Sequence, residues 1–143
     1  MPKSTSVCNS ILALIYNATN WANIADNASS SPITNITLAL KTASDTPSST
    51  MNTNETVYTN YVRVSVARTT GGWDAPSSSA TANAAAINFA QCGVTGATIT
   101  SAATGVGAGA AAILHYGDLN SPIAVSNLIR PTFDIGAITI TEQ

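Results

Sequence analysis

The chain has 143 residues, a net charge of −2 and only 8% charged side chains, against 45% hydrophobic ones. That length suits one domain with a real core, and the hydrophobic share is too high for a disordered chain. The five basic residues form no cluster, which argues against nucleic acid as a partner, and no apolar run reaches the roughly 18 residues of a membrane span.

A helix is predicted over residues 5–25. Val7, Ile11, Leu14, Ile15, Ala18 and Ala22 recur at spacings of three and four, Trp21 and Ile24 extend the apolar side, and Ser4 or Ser6 is placed to cap the start. The stretch DNASSSP, Asp26 to Pro32, ends it, because Asn and Ser favour turns and Pro32 disfavours helix at Ser31. The period then changes to two. ITNITLALKT puts Ile36, Leu38 and Leu40 on one side and Asn35, Thr37, Ala39 and Lys41 on the other, as in a strand with one buried face. Residues 43–56 read as a polar loop, long enough to be functional or mobile.

The next strand lies in YVRVSVARTTGGW. Val62, Val64 and Val66 face one way, and Tyr61, Arg63, Ser65 and Ala67 the other; Arg68 falls on the valine side, near the end where a long side chain reaches water. Gly71 and Gly72 permit a turn, and Trp73 restarts the chain as an anchor. DAPSSSATAN is a second loop. AAINFAQC is a strand with Ile87 and Phe89 inward, and ATITSAA and AAILHY are two more around a turn at Gly105, Gly107 and Gly109. SPIAVSNLIRPTF gives a short strand and a Pro break, and GAITITEQ alternates with Ile138 and Ile140 on one side. One N-terminal helix and about seven or eight short strands between residues 33 and 142 predict a mainly β chain: a single antiparallel β-sandwich or jelly-roll domain over 1–143, with a barrel as the competing topology.

Reactive constellations are missing from this pattern. His115 is the only histidine and sits in ILHYG on a strand; a metal site or a Ser-His-Asp triad would need it, and a small hydrolase built on His115 is the one enzymatic alternative. Asp26, Asp45, Asp74, Asp118, Asp134, Glu55 and Glu142 stand alone, most of them in predicted turns. GVGAGA, Gly105 to Ala110, lacks the Lys-Ser/Thr and the strand-turn-helix setting of a phosphate loop, so it reads as a hairpin turn. Cys8 and Cys92 have neither metal nor redox spacing and read as buried thiols, with a disulfide left open. The sequons at Asn17, Asn27, Asn35 and Asn54 are expected by chance in so Asn- and Thr-rich a chain. No catalytic residue, metal ligand or cofactor is therefore assigned.

A surface that is polar but almost uncharged loses little when it is covered, which favours assembly. Arg63 shares a strand face with Tyr61 and Ser65 and has no charged neighbour in sequence. Its guanidinium pairs either with a carboxylate elsewhere in the chain or with one from another subunit, and both assignments stay open for Arg130. Tyr61, Arg63, Arg68, Trp73 and Arg130 form the candidate interface set.

Four stretches carry a family resemblance: ATNWANIADNASSSPITNITLALKTASD, YTNYVRVSVARTTGGW, AAINFAQC and HYGDLNSPIAVSNLIRPTF with AITITEQ. Together they span nearly the whole chain. They resemble a family of small tailed-phage virion proteins, often labelled tail fibre proteins, some of which look like capsid cement or decoration proteins. The most specific part is a spacing met by Tyr58, Tyr61, Arg63, Val66, Arg68, Gly72 and Trp73. The chain departs from that pattern at Asn60, where relatives tend to have Gly, and in SDTPSSTMNTNET, where they tend to have a Gly-containing acidic loop. The resemblance implies a non-enzymatic virion protein on the outer capsid surface that binds the major capsid protein and copies of itself, as a trimer first and a dimer second. A tail fibre or baseplate component that binds a host surface or other tail proteins is the alternative.

Overall fold

Ser4 caps the first helix: its hydroxyl accepts a hydrogen bond from the Val7 amide at 3.3 Å, in the way that N-cap serines satisfy an orphan donor. The computed structural model describes residues 3–21, 33–107 and 109–142. Helix α1 runs Thr5–Tyr16. It is shorter than the predicted 5–25, because Ala18 turns into the left-handed region at φ 53° and the Thr19 amide closes back onto the Ala13 carbonyl at 3.1 Å. Residues 22–25 of the predicted helix lie outside the described residues. The buried stripe is Cys8, Leu12 and Tyr16, one residue round from the predicted face, whose Val7, Ile11, Leu14 and Ile15 are only half-buried.

Among the described residues eight strands follow: β1 Asn35–Lys41, β2 Val64–Ala67, β3 Ala80–Ala82, β4 Ile87–Asn88, β5 Ala97–Gly105, β6 Ile113–Val125, β7 Thr132–Phe133 and β8 Thr139–Thr141. The fold is thus mainly β, with antiparallel sheets and one N-terminal helix, as the patterning predicts. The chain divides into two compact units. The first comprises Met1–Asn35, Val66–Ala86 and Phe133–Gln143, and the second Ile36–Ser65 and Ile87–Thr132.

In the first unit, β3 pairs antiparallel with β8, matching Thr81 with Ile140, and α1 packs on β3. β3 lies inside a stretch that the sequence presents as loop. Its Ala-Thr-Ala has no large apolar residue and buries the threonine, and Ser78 and Ser79 make the preceding two-residue turn with φ of 50° and 64°. Those are the dihedral signs of a type I′ turn, without its usual Asn-Gly. Trp73 is fully buried and meets Tyr16 edge-to-face at 4.7 Å. Gly72 permits the tight turn that leads into Trp73, since a Cβ there would lie 2.2 Å from the Ala67 carbonyl oxygen.

In the second unit, the sheet order is β2-β1-β5-β6, with the chain passing between the units at Asn35/Ile36 and Ser65/Val66. β1 lies inside that sheet and is buried from Ile36 to Lys41 on both faces, not on one. A strand flanked on both sides by hydrogen-bonded neighbours leaves neither face to solvent once both are covered. Ala39 packs with Met51 and Ala103, so the segment 43–56 lies down on the sheet instead of forming a free polar loop. Gly105 permits that contact, because a Cβ there would reach to 2.5 Å from the Met51 sulfur. β6 is one continuous edge strand running through Pro122, where the sequence reads two strands, AAILHY and a short one in SPIAVSNLIRPTF. Its register steps from Ser101↔Asp118 to Ile99↔Ile123, so Leu119 to Pro122 bulge out opposite Thr100, and a proline on an edge bulge takes no donor from the ladder. Ile87 and Phe89 are buried as the sequence predicts.

Candidate functional site

β1 ends on Lys41, whose side chain is fully buried. The segment after it wraps around the ammonium. Nζ donates to the carbonyls of Met51 and Thr53 at 2.7 Å and of Thr50 at 3.1 Å, and the Asp45 carboxylate, equally buried, stands 3.4 Å away. Burial pushes the Lys41 ammonium below its usual range, against the pull of Asp45 and Glu55. The residues that make this centre were not legible as a site: a lysine closing an alternating strand reads as the solvent face, and nothing in the spacing links it to Asp45.

Glu55 lies beside this centre and is gripped by Arg63. Nε donates to Oε1 at 2.7 Å and Nη2 to Oε2 at 2.6 Å, the two-point geometry that planar guanidinium favours. Arg63 also donates to Asn52 Oδ1 at 2.6 Å. The Tyr61 hydroxyl donates to Glu55 at 2.9 Å and accepts from the Leu40 amide at 3.0 Å, tying the network to β1. Burial alone would raise the Glu55 carboxyl, but hydrogen bonds from Arg63 and Tyr61 and the charges of Arg63 and Lys41 outweigh it and hold the group below its usual range. The two carboxylates thus stand within one network, not alone as in the sequence reading. Two cations and two anions close on one another, and every ammonium hydrogen has a carbonyl, so the arrangement works as a lock on the 43–56 segment.

In the first unit, Arg68 performs a different task. No basic residue lies in the last turn of α1. The Arg68 guanidinium supplies that charge from the far end of β2, donating to the Leu14 and Ile15 carbonyls, and to Ile33 at 2.6 Å. A cation on the orphan carbonyls of a helix end opposes the negative pole of the helix. Asn17 adds a bond from its amide to the Trp73 carbonyl at 3.0 Å.

The structure therefore brings Tyr61 and Arg63 together and buries Trp73 in its own unit, with Arg68 serving the helix. Arg130 is exposed and pairs with no carboxylate among the described residues. His115 is half-buried on β6 opposite Thr104 of β5. Cys8, in the first unit, and Cys92, in the second, are buried free thiols. Among the described residues no group of three His, Cys, Asp or Glu converges as a metal site would require, and no helix is long and apolar enough to cross a membrane.

The family model described as "Podophage GP4 fiber I protein gp80" matches residues 6–141, nearly the full length. No curated protein matches the chain.

Proposed function

The chain belongs to the podophage GP4 fiber I protein gp80 family, and from that premise we propose that it is a non-enzymatic structural component of a virion fibre, with the tail as its place. The observation that carries this reading is the family match over residues 6–141. Two features of the chain support it. Only 8% of its residues are charged, so little hydration is lost when its surfaces are covered by other virion proteins. The least exposed ion pairs are spent on internal locks, Lys41 with Asp45 and Arg63 with Glu55, which leaves no free base or nucleophile among them.

The cement reading, in which the protein seals contacts between capsomers by binding the major capsid protein, takes second place because the family is described by a fibre. Antibody labelling of intact particles tests the choice. Label confined to fibres supports the proposal, and label spread over the head shell overturns it in favour of capsid decoration.

A further inference from the structure

Four of the five cations of this chain have partners within it. Lys3 pairs with Glu142, Lys41 with Asp45 and three carbonyls, Arg63 with Glu55, and Arg68 with the end of α1. Arg130 is the exception among the described residues. It directly follows a turn, closed by the Ile129 amide on the Ser126 carbonyl, that carries two exposed apolar residues, Leu128 at 68% and Ile129 at 44% exposure. Leu128 is held in the left-handed region at φ 69°, where a branched side chain is strained, and its chain tip points into solvent. The turn is nevertheless fixed. Cys92 donates to the Ile129 carbonyl at 2.8 Å and its own carbonyl accepts from Leu128 at 2.9 Å, while the Gln91 side chain donates to the Leu128 carbonyl at 2.7 Å. Strain and exposed apolar surface, rigidly presented, do nothing for the isolated chain.

The described carboxylates divide in the same way. Asp45, Glu55 and Glu142 are in ion pairs, and Asp118 accepts from Ser44 at 2.6 Å. Asp74 and Asp134 are exposed and unpaired among the described residues. Only Asp134 adjoins a large exposed apolar side chain, Ile135, at 69% exposure. This second turn is also fixed, by the fully buried Asn83. Its amide donates to the Asp134 carbonyl at 2.8 Å and accepts from the Ile138 amide at 2.8 Å, and its backbone carbonyl accepts from Gly136 at 2.9 Å.

We propose that these turns are two halves of one contact between copies of this chain: Arg130 of one copy pairs with Asp134 of its neighbour, and Leu128 and Ile129 cover Ile135. The charges are complementary, both surfaces are apolar beside the charge, and both are preorganised, which reduces the ordering lost on association. Each copy carries both halves, as a self-assembling protein requires. The contact adds to the fibre reading without depending on it.

Sedimentation of the full chain across a concentration series tests it. The wild type self-associates. Arg130→Glu and Asp134→Arg each weaken that association by roughly tenfold, and the double variant recovers most of the loss. Leu128→Asn, a residue better suited to the left-handed region, weakens association while the melting temperature stays level or rises. Unchanged melting of the charge variants shows that folding is intact. A mass of one chain at every concentration overturns the proposal and leaves these turns to another virion protein; so do single reversals without effect, or a double reversal that fails to recover. Solution mass reads this contact and particle labelling reads location, so either can fail alone.

Discussion

Replacing Lys41 by methionine keeps most of the aliphatic stem and removes only the ammonium. Three carbonyls, those of Thr50, Met51 and Thr53, then lose their donor, and the fully buried Asp45 carboxylate loses its counter-charge. Hydrogen bonds to a charged group contribute about 1.5–3 kcal/mol each, partly offset by relief of the desolvation that the ammonium suffers. Truncating one partner of a buried pair accordingly costs about 3–5 kcal/mol, a large share of the roughly 5–15 kcal/mol that holds a domain folded. For a chain of this size, a loss near 4 kcal/mol lowers the melting point by about 10–15 °C. Urea unfolding followed by tryptophan fluorescence measures the first figure and thermal melting the second. The double variant Lys41→Met with Asp45→Asn should be more stable than Lys41→Met alone, because the uncompensated charge is gone. Limited proteolysis should cut Lys41→Met within residues 43–56 and spare the wild type. If Lys41→Met unfolds within about 1 kcal/mol of the wild type, the ammonium does not organise that segment and the reasoning fails.

Glu55 is held below its ordinary value of 4.5, so its stabilisation is complete above that pH and is lost as the pH falls through the lower folded-state value; in Glu55→Gln the acid limb of a stability–pH profile should flatten, with about 1–3 kcal/mol less stability at neutral pH. Arg68→Met should free the Leu14 and Ile15 carbonyls, lowering stability by about 2 kcal/mol and speeding amide exchange in the last turn of α1 before that of β5. Ser78→Asn with Ser79→Gly should raise the urea midpoint by an amount equal to about 0.5–1 kcal/mol, since both residues already occupy positive φ.

Where alternation met burial, the fold was legible. Ile36, Leu38 and Leu40, Ile87 and Phe89, and Ile140 are buried as their spacing predicts. Failures came where a short-range pattern could not register a long-range partner. β3 is Ala-Thr-Ala behind a Ser-Ser turn, so neither hydrophobicity nor turn chemistry marks it. β6 passes Pro122 because an edge bulge tolerates it, a fact set by the register against β5. The helix face was misread by one residue because Cys8 and Tyr16, not counted as apolar positions, fill the buried stripe. The arginines were visible as anomalies, and their partners were not: Glu55 lies close in sequence to Arg63, yet only the fold turns it inward, and Arg68 meets a helix more than fifty residues earlier. Lys41 was hidden most completely, since a buried cation satisfied by three backbone carbonyls leaves no side-chain signature.

The central claim is that this chain builds a phage fibre through protein–protein contact. Gold-labelled antibody on intact virions tests it most directly. Label along fibres is the predicted result; label distributed over the head shell, or absent from purified particles, contradicts it.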